Sequence, residues 1–375
     1  MIKKITVQNF FSFGEEQTIE LNADTNILVG INGTGKSNFI KLILLLQQGI
    51  KGEFEKLFSH KWGGFSGCTN FIHPDSNEII ISYCFDKLGI DKATKKKWSS
   101  NSDIFYDVRI KKIGLTDYVI SEEVFNETSK IIIKYSHDNN PKELPIIFLS
   151  ELSNPKLYSI KKAIEKISIY DYFDTSFGGE IRQLSPYYSE DKLLSNGKNL
   201  TALMSYFSNS SIKVYDKIIE ELKNVNTNFK ELSFISYPGK TLLSLKEKNL
   251  DRAITIEQIS DGTLRYLLLL SIFYNPNRGS VVCIDEPEAG LHPDMINGIA
   301  RGIKYAAQNG TQMIIATHSP LLLNAFELED LMIFEKDEDN QTVVKTVSEE
   351  DFPDWEGEFL TGQMWLRGEL GGVRW

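Results

Sequence analysis

The sequence predicts an α/β fold whose central sheet is parallel and covered on both faces, and three observations predict it. Asn26-Ile27-Leu28-Val29 is a short apolar run that enters a glycine-rich loop, and the loop opens into a segment with helical periodicity. Ser280–Ile284 and Met313–Ala316 are continuously apolar rather than alternating, the pattern of strands buried on both faces. Those two runs end in Asp285-Glu286 and Thr317-His318, which puts titratable groups at the carboxyl edges of buried strands.

Each element follows from its local pattern. Residues 2–8 and 17–21 alternate apolar and polar around Gly14 and read as a hairpin of half-buried strands. After the loop, Lys36 to Gln48 reads as a helix with Phe39, Ile40, Ile43, Leu44 and Leu46 on its buried side. Residues 78–86, 104–112, 117–124 and 130–136 read as strands separated by polar turns, an antiparallel meander. From about 145 to 245 the pattern is mostly helical, with candidate helices at Lys156–Ile169, Asn199–Asn209 and Ile212–Val225. No heptad runs long enough for a coiled-coil arm. Leu264 to Phe273 reads as an apolar helix, and Leu331–Phe334 and Thr342–Val347 as a hairpin around the acidic turn Glu335–Asn340. The tail 352–375 holds Trp355, Trp365, Trp375, Arg367 and Arg374 without an assignable pattern. The expected organisation is a first lobe over 1–90, a β-meander and helical insertion over 91–245, and a second lobe over 246–375.

Bulk properties narrow the function classes. The chain has 375 residues, 41% hydrophobic and 25% charged, as in soluble globular proteins. Its net charge of −10 argues against a constitutively basic nucleic-acid wrapper. The longest apolar runs, Phe39–Leu46 and Tyr266–Phe273, fall short of the ~20 residues that span a bilayer, so no membrane role is expected. Cys68, Cys84 and Cys283 are odd in number and lack metal-like spacing, and no leader is evident; a reducing cytoplasm is the expected compartment.

Four segments carry chemistry. Gly30-Ile31-Asn32-Gly33-Thr34-Gly35-Lys36-Ser37 fits G-x-x-x-x-G-K-[ST], a P-loop, in the strand–loop–helix context that the motif requires. There, backbone N–H groups face phosphates, Lys36 reaches the β- and γ-phosphates of ATP, and the Ser37 hydroxyl ligates Mg²⁺. In Val281–Glu286, Asp285 suits the Mg²⁺ shell and Glu286 suits a general base or water-orienting group. His318, after the second apolar strand, is placed to contact the γ-phosphate, whereas His60, His73 and His137 have no such context. Ser260-Asp261-Gly262-Thr263 precedes an apolar helix; Ser260 or Asp261 serves as a cap, and the same helix start can bind a γ-phosphate.

Together these segments resemble the ABC-type ATPases of the RecF/SMC/OLD branch, the AAA_21-like proteins with an AAA-type core domain. Ile5–Phe13 is similar to that branch's first strand and Gly30–Asn38 to its Walker A, with Asn32 and Asn38 included. Ile259–Arg265 resembles the signature, Ile284–Pro293 the Walker B and D-loop, and His318 the switch histidine. The resemblance implies a P-loop NTPase head with an antiparallel β subdomain and a helical insertion. It also implies head-to-tail homodimers with composite ATP sites, in which Lys36, Ser37, Asp285, Glu286 and His318 of one copy face Ser260 and Gly262 of the other. It is strong over about 1–90 and 250–335 and loose between them, and no Q-loop glutamine is identified. The stretch after His318 is too short for the Toprim nuclease fused in OLD-type proteins. The Trp365–Gly372 tail is similar to stand-alone ATPases encoded beside an effector, often a Toprim-like nuclease.

The leading expectation is therefore an ATP-hydrolysing switch that controls DNA binding or a separate effector in DNA repair or phage defence. The alternatives are the nucleotide-binding subunit of a membrane transporter and a nucleotide-gated scaffold with little hydrolysis. Lys92, Lys95, Lys96 and Lys97 before Trp98 form either a nucleic-acid contact or a solvated loop, and the sequence leaves both open.

Overall fold

The computed structural model describes residues 1–72, 76–86, 103–114, 117–126, 131–136, 155–186, 191–352 and 360–371. The Lys92–Trp98 stretch, His73, His137, Trp355, Arg374 and Trp375 lie outside the described residues. The chain forms two compact units. One comprises Met1–Ile167, Leu328–Asp354 and Gly368–Trp375; the other comprises Ser168–Glu327 and Trp355–Arg367.

In the first unit, six antiparallel strands are ordered β2-β1-β4-β5-β6-β7. They are β1 (Ile2–Gln8), β2 (Gln17–Glu20), β4 (Glu78–Phe85), β5 (Ile104–Ile113), β6 (Asp117–Asn126) and β7 (Ile131–Ser136). Along β5 and β6, buried and more exposed residues alternate, so one face packs on a core and the other meets solvent. The expected meander is thus present, joined to the opening hairpin. A second group consists of β3 (Thr25–Val29), buried at every residue, β15 (Leu331–Lys336) and β16 (Thr342–Thr346). β15 runs parallel to β3, with Leu331 opposite Ile27, and antiparallel to β16.

The Lys36–Ile50 helix carries apolar residues almost all round. Phe39, Ile40, Leu42, Ile43, Leu45 and Leu46 are buried, and the expected core residue Leu44 is only half-buried. Leu42 and Leu45 are buried because the helix is covered on more than one side. The Tyr83 hydroxyl donates to the Leu42 carbonyl at 2.7 Å, and the Phe39 ring meets Phe334 edge-on at 5.9 Å.

In the second unit, β13 (Val281–Asp285) and β14 (Gln312–Thr317) pair in parallel, from Val281 opposite Gln312 to Asp285 opposite Ala316. β8 (Ile167–Tyr170) flanks β13. The expected helix over Lys156–Ile169 is corrected here: helix covers Pro155–Glu165, and Ile167-Ser168-Ile169-Tyr170 is a strand buried at all four residues. Its β-branched and aromatic composition favours the pleated conformation. The mostly helical expectation up to 245 also needs correction. After helices Leu200–Ser210 and Ile212–Val225, β10 (Phe229–Tyr237) and β11 (Lys240–Glu247) form a hairpin around Pro238-Gly239. β9 (Ser185–Pro186) and β12 (Ile254–Thr255) pair with β11.

Helices Asp261–Phe273 and Pro293–Gln308 pack closely, because Gly298 and Gly302 bring the second helix's backbone against the first. A Cβ on Gly298 would overlap the Tyr266 hydroxyl, and one on Gly302 would lie 2.5 Å from Phe273 Cδ2. Between these helices and Ile212–Val225, the buried Glu221 carboxylate takes Arg301 Nε at 3.0 Å and Nη2 at 2.5 Å, and the Tyr274 hydroxyl at 3.0 Å. Burial opposes ionisation of Glu221, but hydrogen bonds from Arg301 and then Tyr274 outweigh it and hold the group below its usual range.

The tail left unassigned in the sequence forms the Thr361–Arg367 helix, with Met364 and Trp365 buried. The Thr361 hydroxyl bonds to the carbonyls of Leu323 and Phe326, and Gly362 N–H donates to Asn324 Oδ1 at 2.9 Å. A Cβ on Gly362 would overlap the Pro320 carbonyl. Among the described residues, no helix is long and apolar enough to cross a membrane.

The close helix contact yields a stability test. Gly302→Ala must displace the buried Phe273 ring, and we expect it to cost about 1–3 kcal/mol in urea unfolding, with the slope unchanged.

Candidate functional site

The site residues fall into two sets, one in each compact unit. In the first unit, β3 is wholly buried and delivers the chain into Gly30–Gly35. Gly35 takes a left-handed conformation, φ +110°, and begins the Lys36–Ile50 helix without any side-chain cap. Only glycine fits there: a Cβ would lie against Thr342 Oγ1 and 2.8 Å from Ser12 Oγ. The Thr342 hydroxyl also hydrogen-bonds to Ser12 Oγ and to the Thr34 carbonyl, both at 2.7 Å, so β16 fixes the curvature of the loop.

Within this loop Lys36 is buried, and its Nζ donates to the carbonyls of Gly30 at 2.7 Å and Ile31 at 3.1 Å. Asn32, Gly33 and Ser37 are exposed, and Asn38 is half-buried with its amide on Ser12 Oγ at 2.8 Å. The structure therefore brings Gly30, Gly33, Gly35, Lys36, Ser37 and Asn38 together at one helix start. An uncapped helix N-terminus with a lysine and a free-facing loop is a ready anion site.

Beside this loop lies a cavity of about 200 Å³. Ser12 and Asn38 line it on the helix side, Asn70, Phe71 and Ile72 on another, and Lys336 and Asn340 complete it. Phe11, which lines it, and Asn9 just before it are strained, with Asn9 at φ +56° and Phe11 at φ +49°. Hydrogen bonds hold that strain in place. Buried Asn9 accepts from Asn70 N–H at 3.0 Å and donates to the Glu78 carbonyl at 2.8 Å, while Asn70 donates to the Phe11 carbonyl at 3.1 Å.

In the second unit, the parallel register of β13 and β14 brings Asp285-Glu286 and Thr317-His318 to the same edge. Glu286 N–H donates to the Ala316 carbonyl at 2.9 Å, with Glu286 in the left-handed region at φ +48°. His318 Nδ1 lies 3.1 Å from Glu286 Oε1, and both side chains remain part-exposed. Glu288, two residues on, is buried. Its Oε1 accepts from the Thr317 hydroxyl and from His318 N–H at 3.3 Å, while Oε2 is buried with no partner among the described residues. Burial raises the Glu288 carboxyl above its usual range, against the opposing hydrogen bonds from Thr317 and its neighbours.

Ser260 caps the Asp261–Phe273 helix, accepting from Thr263 N–H at 3.3 Å, and the helix begins three residues earlier than the Leu264 expected. Ser260 is exposed, Gly262 is half-buried, and a Cβ on Gly262 would lie 3.2 Å from the Gly290 carbonyl. Arg265, from the same helix, donates to the Ala289 carbonyl at 2.6 Å. Among the described residues, Ser260 shares no hydrogen bond with Glu286 or His318.

Sequence reasoning missed Thr342, Glu288 and Arg265. Arg265 and Glu288 lie inside quoted motifs, but their partners do not adjoin them in sequence. The chemistry available is clear from the donor sets. The first unit offers N–H groups and an ammonium for phosphate oxygens, and a hydroxyl at Ser37 of the kind that hard divalent cations accept. The second unit offers a carboxylate beside an imidazole for moving or orienting a water.

Comparison with known proteins gives a consistent picture. Residues 25–324 match the family model AAA_21, described as "AAA domain, putative AbiEii toxin, Type IV TA system". The chain is similar to a protein of Helicobacter pylori (strain ATCC 700392 / 26695) named "ATP/GTP phosphatase", 22% identical over 94% of this chain and 93% of that one. It is also similar to the "Old nuclease" of Escherichia phage P2, 26% identical over 43% of this chain but only 31% of the relative. Among solved structures, an SMC head bound to the C-winged helix domain of ScpA aligns over 93% of this chain and 98% of that one. Its TM-score is 0.58 at 14% identity. A second SMC head, with an extended coiled coil and bound to a C-terminal domain of ScpA derived from Pyrococcus furiosus, aligns over 95% and 98%, with TM-score 0.57 at 12% identity. The fold is that of a P-loop ATPase head of the ABC type.

The raised carboxyl gives a pH test. Folding favours neutral Glu288, so its contribution is fully present in acid and is lost as pH rises through the folded-state value. Glutamine stays neutral throughout. Melting temperatures of Glu288→Gln and the native chain should agree most closely near pH 5 and diverge toward pH 8, with the variant gaining.

Proposed function

The chain belongs to the AAA_21 family of AAA domains, and on that premise we propose that it is an ATP-hydrolysing switch. Two copies pair head to tail around Mg-ATP, and the nucleotide state controls DNA binding or a separately encoded effector. The observation that carries this reading is the uncapped, left-handed Gly35 helix start, with Lys36 buried at its loop. The Glu286–His318 pair supplies the matching hydrolytic group.

In this reading the N–H groups of Gly30–Gly35 hold the phosphates, and Lys36 Nζ exchanges its two carbonyl partners for β- and γ-phosphate oxygens. The cavity beside Ser12 and Asn38 takes the nucleoside end. Ser37 and Asp285 would hold Mg²⁺, which neutralises phosphate charge when bound. Glu286 accepts the proton of the attacking water, and His318 keeps that carboxylate oriented and meets the γ-phosphate side. Ser260 and Gly262 serve the nucleotide of the second copy. Their exposure at a helix N-terminus suits a phosphate arriving from outside the chain.

The "ATP/GTP phosphatase" relative supports turnover, and the "Old nuclease" relative supports an association with nucleic-acid processing. The exposed Leu360 and Leu366 at the terminal helix of the second compact unit support docking of an effector there. A Toprim-like nuclease, acting in repair or phage defence, is the effector class we favour.

Two measurements test the proposal. Lys36→Ala should lower ATP turnover about 100-fold or more, read as phosphate release. Glu286→Gln should bind ATP without cleaving it, and light scattering should show its mass double on adding Mg-ATP. A Glu286→Gln chain that stays single at saturating ATP would dismiss head-to-tail pairing.

A further inference from the structure

Arg182 lies outside every motif described above, at the end of a short 3-10 helix (Glu180–Arg182) between β8 and β9, and it is 4% exposed. All of its donor groups are engaged. Nε donates to the Thr175 carbonyl at 2.7 Å. Nη1 donates to the carbonyls of Ile256 at 2.6 Å, Glu257 at 3.2 Å and Ile259 at 2.7 Å. Nη2 reaches Asp261 Oδ1 at 2.6 Å. Four of the five acceptors belong to residues 256–261, the turn that ends in Ser260 and starts the Asp261–Phe273 helix.

We propose that Arg182 is a positioning residue that shapes the Ser260-Asp261-Gly262 segment for the nucleotide of a second copy. The inference rests on the head-to-tail reading above and names a residue that the reading does not include. Two physical arguments carry it. First, this turn gives its carbonyls to one buried guanidinium, whose planar fork holds several acceptors at fixed angles; a lysine ammonium lacks that geometry. The exposed Ser260 hydroxyl and the N–H groups behind it therefore point where Arg182 sets them. Second, Asp261 is an exposed carboxylate beside the place where an ATP phosphate would dock, with its side chain 70% exposed. An uncompensated carboxylate there would repel the phosphate. The Arg182 guanidinium at 2.6 Å offsets its charge.

The test uses the full chain carrying Glu286→Gln, with Mg-ATP as the probe. Pairing is read by light scattering, and binding of a fluorescent ATP analogue to the single chain is read separately. Arg182→Lys and Arg182→Gln should weaken ATP-dependent pairing about tenfold or more while single-chain nucleotide affinity changes less than about twofold. Adding Asp261→Asn to Arg182→Gln should recover part of the loss, because the carboxylate is then no longer uncompensated. Pairing as tight as the parent's in both Arg182 variants overturns the inference and leaves the head-to-tail reading standing. A parallel loss of single-chain nucleotide binding also overturns it, since that is the mark of general damage. A parent that never pairs overturns both. Should neither Arg182 variant fold by circular dichroism, Asp261→Asn alone decides, since its amide oxygen can still accept from Arg182 while the charge is gone. Charge cancellation predicts pairing at least as tight as the parent's, and weaker pairing overturns it.

Discussion

The chemistry of the second unit depends on one constraint, the parallel register between β13 and β14. With Asp285 opposite Ala316 and the Glu286 N–H on the Ala316 carbonyl, the two strands end together and release their next residues at one edge. A strand alternates its side chains, so Asp285 shares a face with Ala316, and a slip of one residue would set it opposite Ile315 or Thr317 and part Glu286 from His318. Buried residues along both strands make such a slip costly. The left-handed turn at Glu286 is tolerated because this edge is so firmly set.

From that edge, three loops are tied into one body. Glu288 accepts from Thr317 and from the His318 backbone, so the turn after β13 holds the turn after β14. Arg265 reaches from the Asp261–Phe273 helix to the Ala289 carbonyl, and Gly262 leaves just enough room for the Gly290 carbonyl. Arg182 fastens the start of that helix from behind. The Ser260 helix start, the segment carrying Glu288 and His318 are therefore linked through hydrogen bonds and packed backbone rather than through solvent. The Thr361–Arg367 helix joins the same chain of contacts through Gly362 and the Pro320 carbonyl.

Much of this was legible in the sequence wherever a property belongs to neighbouring residues. The strand, glycine loop and helix around Lys36 are one continuous pattern, and so are the apolar runs ending at Asp285 and Thr317. A helix ending at Ile169 is the natural reading because Ile167 and Ile169 around Ser168 suit a helix end as well as a buried strand, and only their pairing decides. The β10–β11 hairpin was missed because its polar residues dilute the alternation. Thr342, Arg182 and Glu288 were invisible for a different reason. Their partners Thr34, Asp261 and Thr317 stand 308, 79 and 29 residues away, so their roles exist only once the chain has folded.

The first unit is stitched from segments far apart in the chain, and this bears on how the protein is born. The glycine loop leaves the ribosome well before β15, which pairs with β3, and before Thr342, which closes the loop at Gly35 and stands 308 residues after Thr34. Between those two moments the nascent chain carries a glycine loop without the wall that bends it. Competence for nucleotide should therefore arise abruptly as β15 and β16 arrive, and a chain cut before them would carry the whole glycine motif yet lack the curvature that makes it a binding site.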